Sequence, residues 1–172
     1  MKITNLKNIT PKKLVVFDLD GTLAKSKSVI DSEMVKLLTE LLTHKKVAVI
    51  GGGKYQLFKD QLLSQLKIKK ELFKNLFLFP TTATAFYKYE SGWKNVYLLE
   101  LTKTERDVIK KTFDKVFQEI NYQHPKKTYG KVIEDRGTQV TFSALGQEIV
   151  AQLGKKGLEL KDKWRDENKA TK

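Results

Sequence analysis

The hydrophobic pattern of the first eighty residues alternates between short apolar runs and longer amphipathic stretches. Apolar runs at about 13–18, 46–50 and 76–79 are bounded by turn residues and predict three buried strands. The stretches that begin near Asp31 and Tyr55 repeat apolar residues at helical spacing. Strands that alternate with helices in this way predict an α/β domain with a parallel sheet over residues 1–80.

The pattern changes after Pro80. Residues 85–98 are rich in aromatic side chains at partly alternating spacing, which indicates a hairpin. Residues 102–120 predict an amphipathic helix, and residues 131–142 predict a second hairpin that turns at Gly137. We therefore expect residues 81–172 to form an α+β cap domain inserted after the third strand. The acidic residues after 158 are expected to lie on a solvated helix face.

The first predicted strand ends in a pair of carboxylates. Asp18 and Asp20 are followed by Gly21 and Thr22, so the chain can turn directly after them. Residues i and i+2 of an extended chain point to the same side, which lets both carboxylates address one small volume. Two neighbouring carboxylates favour a hard divalent cation, and Mg²⁺ suits them. An ordinary Asx turn at a strand end is the structural alternative.

A glycine run follows the second predicted strand. Gly51, Gly52 and Gly53 precede Lys54 and the start of a predicted helix. Converging backbone N–H groups in such a turn can bind a phosphate. A flexible connection without a ligand is the alternative reading of the same residues.

The amino-acid composition limits the classes of protein to which this chain can belong. The chain has no cysteine, which excludes disulfides and thiolate metal sites. No apolar run approaches the ~18 residues of a membrane span, and no secretory signal is visible, so we expect a cytoplasmic protein without a membrane partner. The net charge of +13 comes from lysines spread along the chain. That distribution favours solvated faces and attraction of small anions over a dedicated nucleic-acid site, which remains an alternative.

The motif at 18–22, Asp-Leu-Asp-Gly-Thr, resembles the first motif of the haloacid dehalogenase superfamily of phosphotransferases. The resemblance implies that Asp18 is a nucleophile and Asp20 a general acid/base, and that both hold Mg²⁺. It also implies a Rossmannoid parallel sheet, of which this chain carries a part. The expected phosphate-binding residues are Thr22, Gly51, Gly52, Gly53 and Lys54.

Residues 133–147 resemble the type IIB cap of phosphomannomutase-like members of that superfamily. The resemblance implies substrate binding by Arg136 and by Gln147, which stands where the mutases have arginine. The glycine run lacks the family's serine or threonine, and residues 155–172 match neither its late lysine nor its late acidic motif. The expected activity is a Mg²⁺-dependent phosphatase for a small phosphorylated metabolite, such as a sugar phosphate. A phosphomannomutase-like mutase and a non-catalytic binding or regulatory module are the alternatives.

Overall fold

A computed structural model describes residues 12–25 and 28–168 of the chain. Five strands form one sheet in the order β1-β2-β3-β4-β5. Their bounds are Leu14–Asp18, Lys46–Ile50, Leu76–Phe79, Ala85–Tyr89 and Trp93–Leu98. β1, β2 and β3 run parallel, whereas β4 and β5 are antiparallel to their neighbours. The predicted mixed α/β class is confirmed.

Helices connect the parallel strands. α1 (Ser32–His44) joins β1 to β2, and the Asp31 side chain caps it by accepting a hydrogen bond of 2.8 Å from the Met34 N–H. α2 (Tyr55–Phe58) follows β2 and continues into a π-helical turn at Lys59–Leu63. A short 3₁₀ segment leads into β3. The predicted helix from Tyr55 is therefore present, but only its first turn is α-helical.

The core of this part lies between the sheet and its helices, and its largest members are fully buried. They include Phe58, Leu19, Leu42, Leu62, Leu76, Leu78, Val47 and Val49. β1 departs from the sequence-based expectation of a buried strand. Leu14 and Val16 are 49% and 54% exposed, whereas Val15 and Phe17, which point to the other face of the sheet, are partly buried.

The chain divides into two compact units, Met1–Leu98 and Leu99–Lys172. The sequence placed this boundary at residues 80–81 and assigned the first hairpin to the cap. In the structure β4 pairs with β3, with Tyr87 opposite Leu78, so the hairpin belongs to the first unit. Stacking of Phe79 on Phe86, with ring centroids 4.6 Å apart, reinforces that pairing.

The second unit is an α+β arrangement. It contains α3 (Lys103–Glu119), the hairpin β6–β7 (Ile133–Asp135, Val140–Phe142), α4 (Ile149–Leu153) and α5 (Lys155–Glu167). A capping box between Thr102 and Glu105 starts α3. Phe117 packs on Phe142 at 5.0 Å between ring centroids, which holds the helix against the hairpin.

None of the helices in the described part of the chain combines the length and the apolar character that crossing a lipid bilayer requires. α3 has 17 residues and carries charged side chains along its whole length.

Candidate functional site

The predicted aspartates lie where β1 ends. Asp18 is the last residue of β1 and is exposed, and Asp20 is partly buried two residues later. Leu19 between them is fully buried and donates its N–H to the Ile50 carbonyl at 3.1 Å. Gly21 has φ +87° and lets the chain reverse, so that the Leu19 carbonyl accepts hydrogen bonds from the N–H groups of residues 23 and 24. The buried Leu19 and its backbone hydrogen bonds therefore fix the position of the chain between Asp18 and Asp20.

The glycine loop follows β2 beside these aspartates. Asp18 pairs with Ile50, and Ile50 pairs with Phe79, so the three parallel strands end at one edge of the sheet. Gly51 donates its N–H to the Phe79 carbonyl at 3.2 Å. The predicted phosphate loop and the predicted carboxylates thus follow neighbouring strands at the edge where α/β sheets bind ligands.

Close packing explains two of the three glycines. A Cβ at Gly51 would lie 3.2 Å from Cζ of Phe58, and one at Gly53 would lie 2.2 Å from Cδ2 of Leu57. A Cβ at Gly52 would meet nothing within 4 Å. Position 52 therefore has room for a Cβ atom, whereas positions 51 and 53 are sterically restricted.

A left-handed turn after β3 forms a further part of the site that the sequence analysis did not identify. Thr81, Thr82 and Ala83 have φ of 51°, 57° and 64°. The Thr81 N–H donates to the Gly53 carbonyl at 2.8 Å, and the Thr82 N–H donates to the Gly51 carbonyl at 2.9 Å. Both carbonyls are thereby held by the turn. The available sequence signal was Pro80 followed by a short polar run directly after a strand.

Tyr55 lies two residues after the glycine loop and contributes an aromatic ring there. Its ring stacks on Tyr87 with centroids 3.8 Å apart and planes 3° from parallel. Burial, with a smaller contribution from the charge of Tyr87, raises the pKa of Tyr55 to about 12. The phenol consequently stays neutral near pH 7.

Lys54 and Thr22 complete the predicted phosphate-binding set in the first unit. Lys54 is exposed and stands directly before α2. Thr22 is exposed and lines a groove between β1 and α1. Lys54 directly follows the glycine loop in the sequence, whereas Thr22 does not.

The two predicted cap residues come together in the second unit. Arg136 donates from Nε to Glu134 Oε2 at 2.7 Å, and from a terminal nitrogen to Gln147 Oε1 at 3.3 Å. Gln147 donates from Nε2 to Thr141 Oγ1 at 3.3 Å. Arg136 is only 16% exposed and its charge is already matched by Glu134. Any anion that Arg136 binds must compete with that carboxylate.

The predicted donor set for a metal consists of Asp18 and Asp20. Across residues 12–25 and 28–168, no group of three or more histidine, aspartate and glutamate side chains is arranged to hold a metal ion. Mg²⁺ in phosphate-transfer sites is held by one or two carboxylates, with waters and substrate oxygens completing its shell. Asp18 and Asp20 are sufficient in number and chemistry for that mode of binding.

Sequence comparison relates the chain to phosphomannomutases, although no protein-family model matches it. It is 27% identical over 163 residues to the phosphomannomutase of Encephalitozoon cuniculi, which covers 90% of this chain and 59% of that protein. It is 41% identical over 49 residues to phosphomannomutase 2 of Dictyostelium discoideum, or 28% of this chain and 20% of that protein. The chain thus spans about three fifths or less of the curated relatives it matches.

Solved structures agree on the fold. An N-terminally truncated IMP-nucleotidase of Plasmodium falciparum superposes with a TM-score of 0.57 at 15% identity, covering 91% of this chain and 48% of that one. Its IMP-bound form gives a TM-score of 0.56 at 14% identity. The sequence relatives, together with the parallel sheet, support the predicted resemblance to the haloacid dehalogenase superfamily.

Proposed function

We propose that this chain carries the nucleophile half of a phosphate-transfer site and acts as a Mg²⁺-dependent phosphatase on a small phosphorylated metabolite, with a sugar phosphate as the expected substrate. The observation that supports this most directly is the shared sheet edge. Asp18, Asp20 and the Gly51–Gly53 loop follow neighbouring parallel strands there. The phosphomannomutase relatives support a phosphorylated hexose as the class of ligand.

The proposed reaction has two steps. In the first, an Asp18 carboxylate oxygen forms a bond to phosphorus while the ester P–O bond breaks, and Asp20 donates a proton to the departing alkoxide. In the second, water forms a bond to the same phosphorus while the bond to Asp18 breaks, and the Asp20 carboxylate accepts the water's proton. The products are an alcohol and inorganic phosphate, and both aspartates return to their starting forms.

Because the Gly51 N–H already donates to Phe79, the other backbone N–H groups of the glycine loop would orient the phosphoryl group in this scheme. The turn at residues 81–82 contributes by holding the Gly51 and Gly53 carbonyls, whose partial negative charge would repel an anion. Mg²⁺, bound by Asp18 and Asp20, would neutralise charge on the phosphate. Lys54 adds positive charge beside the loop.

Phosphate release from a panel of sugar phosphates with Mg²⁺ tests the proposal. Asp18→Asn is expected to lower kcat by roughly a thousandfold or more, since the amide cannot replace the nucleophile. Asp31→Asn is the matched control, because asparagine caps a helix as well as aspartate does and Asp31 lies outside the site. Equal rates for wild type and Asp18→Asn would disprove the assigned role.

A measurement that does not depend on turnover tests the metal. Mg²⁺ is expected to raise the melting temperature of wild type and of Asp31→Asn, and to leave the Asp18→Asn/Asp20→Asn double variant unchanged. Stabilisation by Mg²⁺ without turnover would favour the non-catalytic binding module. The absence of both would argue against every metal-dependent reading.

A phosphosugar mutase is the second candidate, favoured by the sequence relatives. Conversion of mannose 1-phosphate to mannose 6-phosphate without net phosphate release would support it. Gln147 helps to distinguish a mutase from a phosphatase. It places a neutral amide where the mutases have an arginine, which can bind phosphate through two hydrogen bonds. Gln147→Arg is expected to increase mutase activity relative to hydrolysis.

A further inference from the structure

Thr82, in the turn after β3, lies beside the glycine loop. Its N–H donates to the Gly51 carbonyl at 2.9 Å. On its other side, Gly51 lies against the turn that carries the aspartates, since a Cβ at Gly51 would be 3.5 Å from Cβ of Leu19. Leu19 separates Asp18 from Asp20. The connections that follow β1, β2 and β3 therefore meet at Gly51.

The neighbouring threonines of this turn use their hydroxyls within the turn. Thr81 is 5% exposed. The Thr84 Oγ1 lies 2.7 Å from the Thr81 carbonyl and 2.7 Å from the Thr81 Oγ1. Thr82, in contrast, is exposed. Its side chain is thus the one in this turn that a ligand at the sheet edge can reach from solvent.

The backbone of the turn does not explain why residue 82 is a threonine. Thr82 has φ 57°, in the left-handed region that glycine and asparagine adopt at lower cost. A β-branched residue held in this region costs on the order of 1–3 kcal/mol. Glycine would make the same backbone hydrogen bond to Gly51 without that cost. The threonine side chain therefore points to a role of its own.

The glycine loop is short of hydrogen-bond donors for a phosphoryl group, which presents three strong acceptor oxygens. The Gly51 N–H is already donated to the Phe79 carbonyl at 3.2 Å. Close packing at Gly51 and Gly53 prevents either position from carrying a hydroxyl-bearing side chain without rearrangement. A threonine hydroxyl can donate one hydrogen bond without adding charge, and Thr82 brings one to the loop.

We propose that Thr82 is a phosphate-binding residue whose hydroxyl donates a hydrogen bond to a phosphoryl oxygen held at the glycine loop. The inference rests on the proposed function and adds a substrate-contacting residue to it. The hydrogen bond from the Thr82 N–H to Gly51 fixes the hydroxyl relative to the loop. The hydroxyl keeps its proton throughout the reaction, so its contribution is to binding and orientation of the phosphate.

Binding of inorganic phosphate in the presence of Mg²⁺ tests the assignment without any need for turnover. The dissociation constant follows from the rise in melting temperature of the full chain as phosphate is added. Thr82→Val is expected to raise it by about tenfold, because valine keeps the shape and the β-branching but loses the donor. Thr82→Ser retains the hydroxyl and should stay within about threefold of wild type.

Thr43→Val is the matched control. Thr43 is an exposed threonine of α1 whose hydroxyl donates to the Glu40 carbonyl of its own helix at 2.6 Å. Its replacement should leave phosphate binding unchanged. Weak attraction of phosphate to the many lysines contributes equally to all these variants, so the difference between Thr82→Val and Thr43→Val isolates the contact at Thr82. Thr82→Ala replaces the valine variant if circular dichroism shows that valine prevents folding.

Sugar phosphate kinetics separate this role from that of the nucleophile. Thr82→Val is expected to raise KM by about tenfold and to leave kcat within about threefold, since a phosphate contact made in the ground state and in the transition state contributes uniform binding. Asp18→Asn lowers kcat instead. Rescue of KM by Thr82→Ser would show that the hydroxyl, and not the shape of the turn, is responsible.

The outcomes distinguish the two proposals. Hydrolysis by wild type, together with unchanged phosphate binding and KM in Thr82→Val, would reject the assignment of Thr82 and leave the phosphatase standing. A serine variant as weak as the valine variant would also reject it. Phosphate binding that Thr82→Val weakens and Thr82→Ser restores, in a chain without turnover, would support Thr82 and reject the phosphatase. A wild type that neither binds phosphate nor hydrolyses sugar phosphates would overturn both.

Discussion

Three consecutive residues after β3 hold a backbone conformation that side-chain-bearing residues rarely adopt. A β-branched residue at positive φ is a genuine outlier, and Thr81 and Thr82 are two in succession. Their N–H groups bind the carbonyls of Gly51 and Gly53, so the strained turn shapes the loop proposed to bind phosphate. Strain of this kind is typical of functional sites.

Thr82→Asn is expected to stabilise the protein by about 0.5–1 kcal/mol, because asparagine tolerates the left-handed region and does not add the unfolded-state entropy of glycine. Urea denaturation followed by circular dichroism measures the change. Thr112→Asn on α3 is the control, where the backbone is right-handed and no gain is expected. A loss of stability in Thr82→Asn would show that the threonine side chain contributes more than its backbone costs.

At this scale the sequence predicted Asp18, Asp20 and the glycines but not the threonine turn. Asp-Leu-Asp-Gly-Thr carries its conformation in its residue types, since glycine marks the reversal at position 21. Thr81 and Thr82 carry no such mark, because threonine normally avoids the conformation that they adopt. Tertiary hydrogen bonds to the glycine loop determine it, and these are invisible in a local pattern.

Asp135, at the end of β6, connects that hairpin to α3. It accepts hydrogen bonds from Lys110 at 2.7 Å and from the Gly137 N–H at 3.0 Å, and it pairs with Arg106 at 3.1 Å. The Lys110 hydrogen bond is the main cause that lowers the pKa of Asp135 below its usual 3.8, with the Gly137 N–H second. Helix and hairpin are thus held together by a carboxylate that must remain ionised.

The stability of the second unit should therefore depend on acid. A carboxylate whose folded-state pKa is lowered stabilises the fold above its unfolded pKa, and this contribution is lost as pH falls from about 4 through the lower folded value. Asp135→Asn should be less stable than wild type at pH 5.5 and lose less stability between pH 5.5 and 3. Urea midpoints at both values measure this.

The control for that experiment is Asp114→Asn, at an exposed position of α3. It should follow the wild-type pH dependence. An unchanged acid dependence in Asp135→Asn would assign the effect to other carboxylates of this unit, such as Glu105, whose pKa is lowered by its hydrogen bonds with Thr102.

The positions of the helices and strands were predicted more accurately than their burial and their pairing with distant elements. The three parallel strands and α3 lie close to their predicted positions because apolar period and turn residues are local signals. The exposure of β1 was not predictable, since an apolar strand indicates the need for neighbours without indicating which neighbours are present. The hairpin at 85–98 was assigned to the wrong unit for the same reason, because pairing with β3 is a long-range contact.

The whole molecule carries a net charge of +13, which disfavours compaction. Added salt should therefore raise the free energy of unfolding between about 20 and 300 mM NaCl, as screening weakens repulsion among the lysines. A triple variant at exposed positions, Lys36→Glu/Lys67→Glu/Lys111→Glu, lowers the net charge to +7 and should show a smaller increase. Denaturation at each salt concentration measures the slope, and equal slopes would exclude net repulsion as the cause.

The buried amide of Gln61 has a consequence for how this fold can change. Gln61 is 4% exposed in the π-helical turn, and in the described structure neither its Nε2 nor its Oε1 meets a hydrogen-bond partner. A buried polar group without a hydrogen-bond partner lowers the free energy of unfolding by about 1–3 kcal/mol. Its backbone carbonyl accepts the Ile30 N–H at 3.0 Å, so the unpaired amide lies where the loop after β1 meets the π-helical turn. An apolar side chain in place of Gln61 would therefore raise the free energy of unfolding. That added stability would let the protein tolerate a destabilising mutation elsewhere.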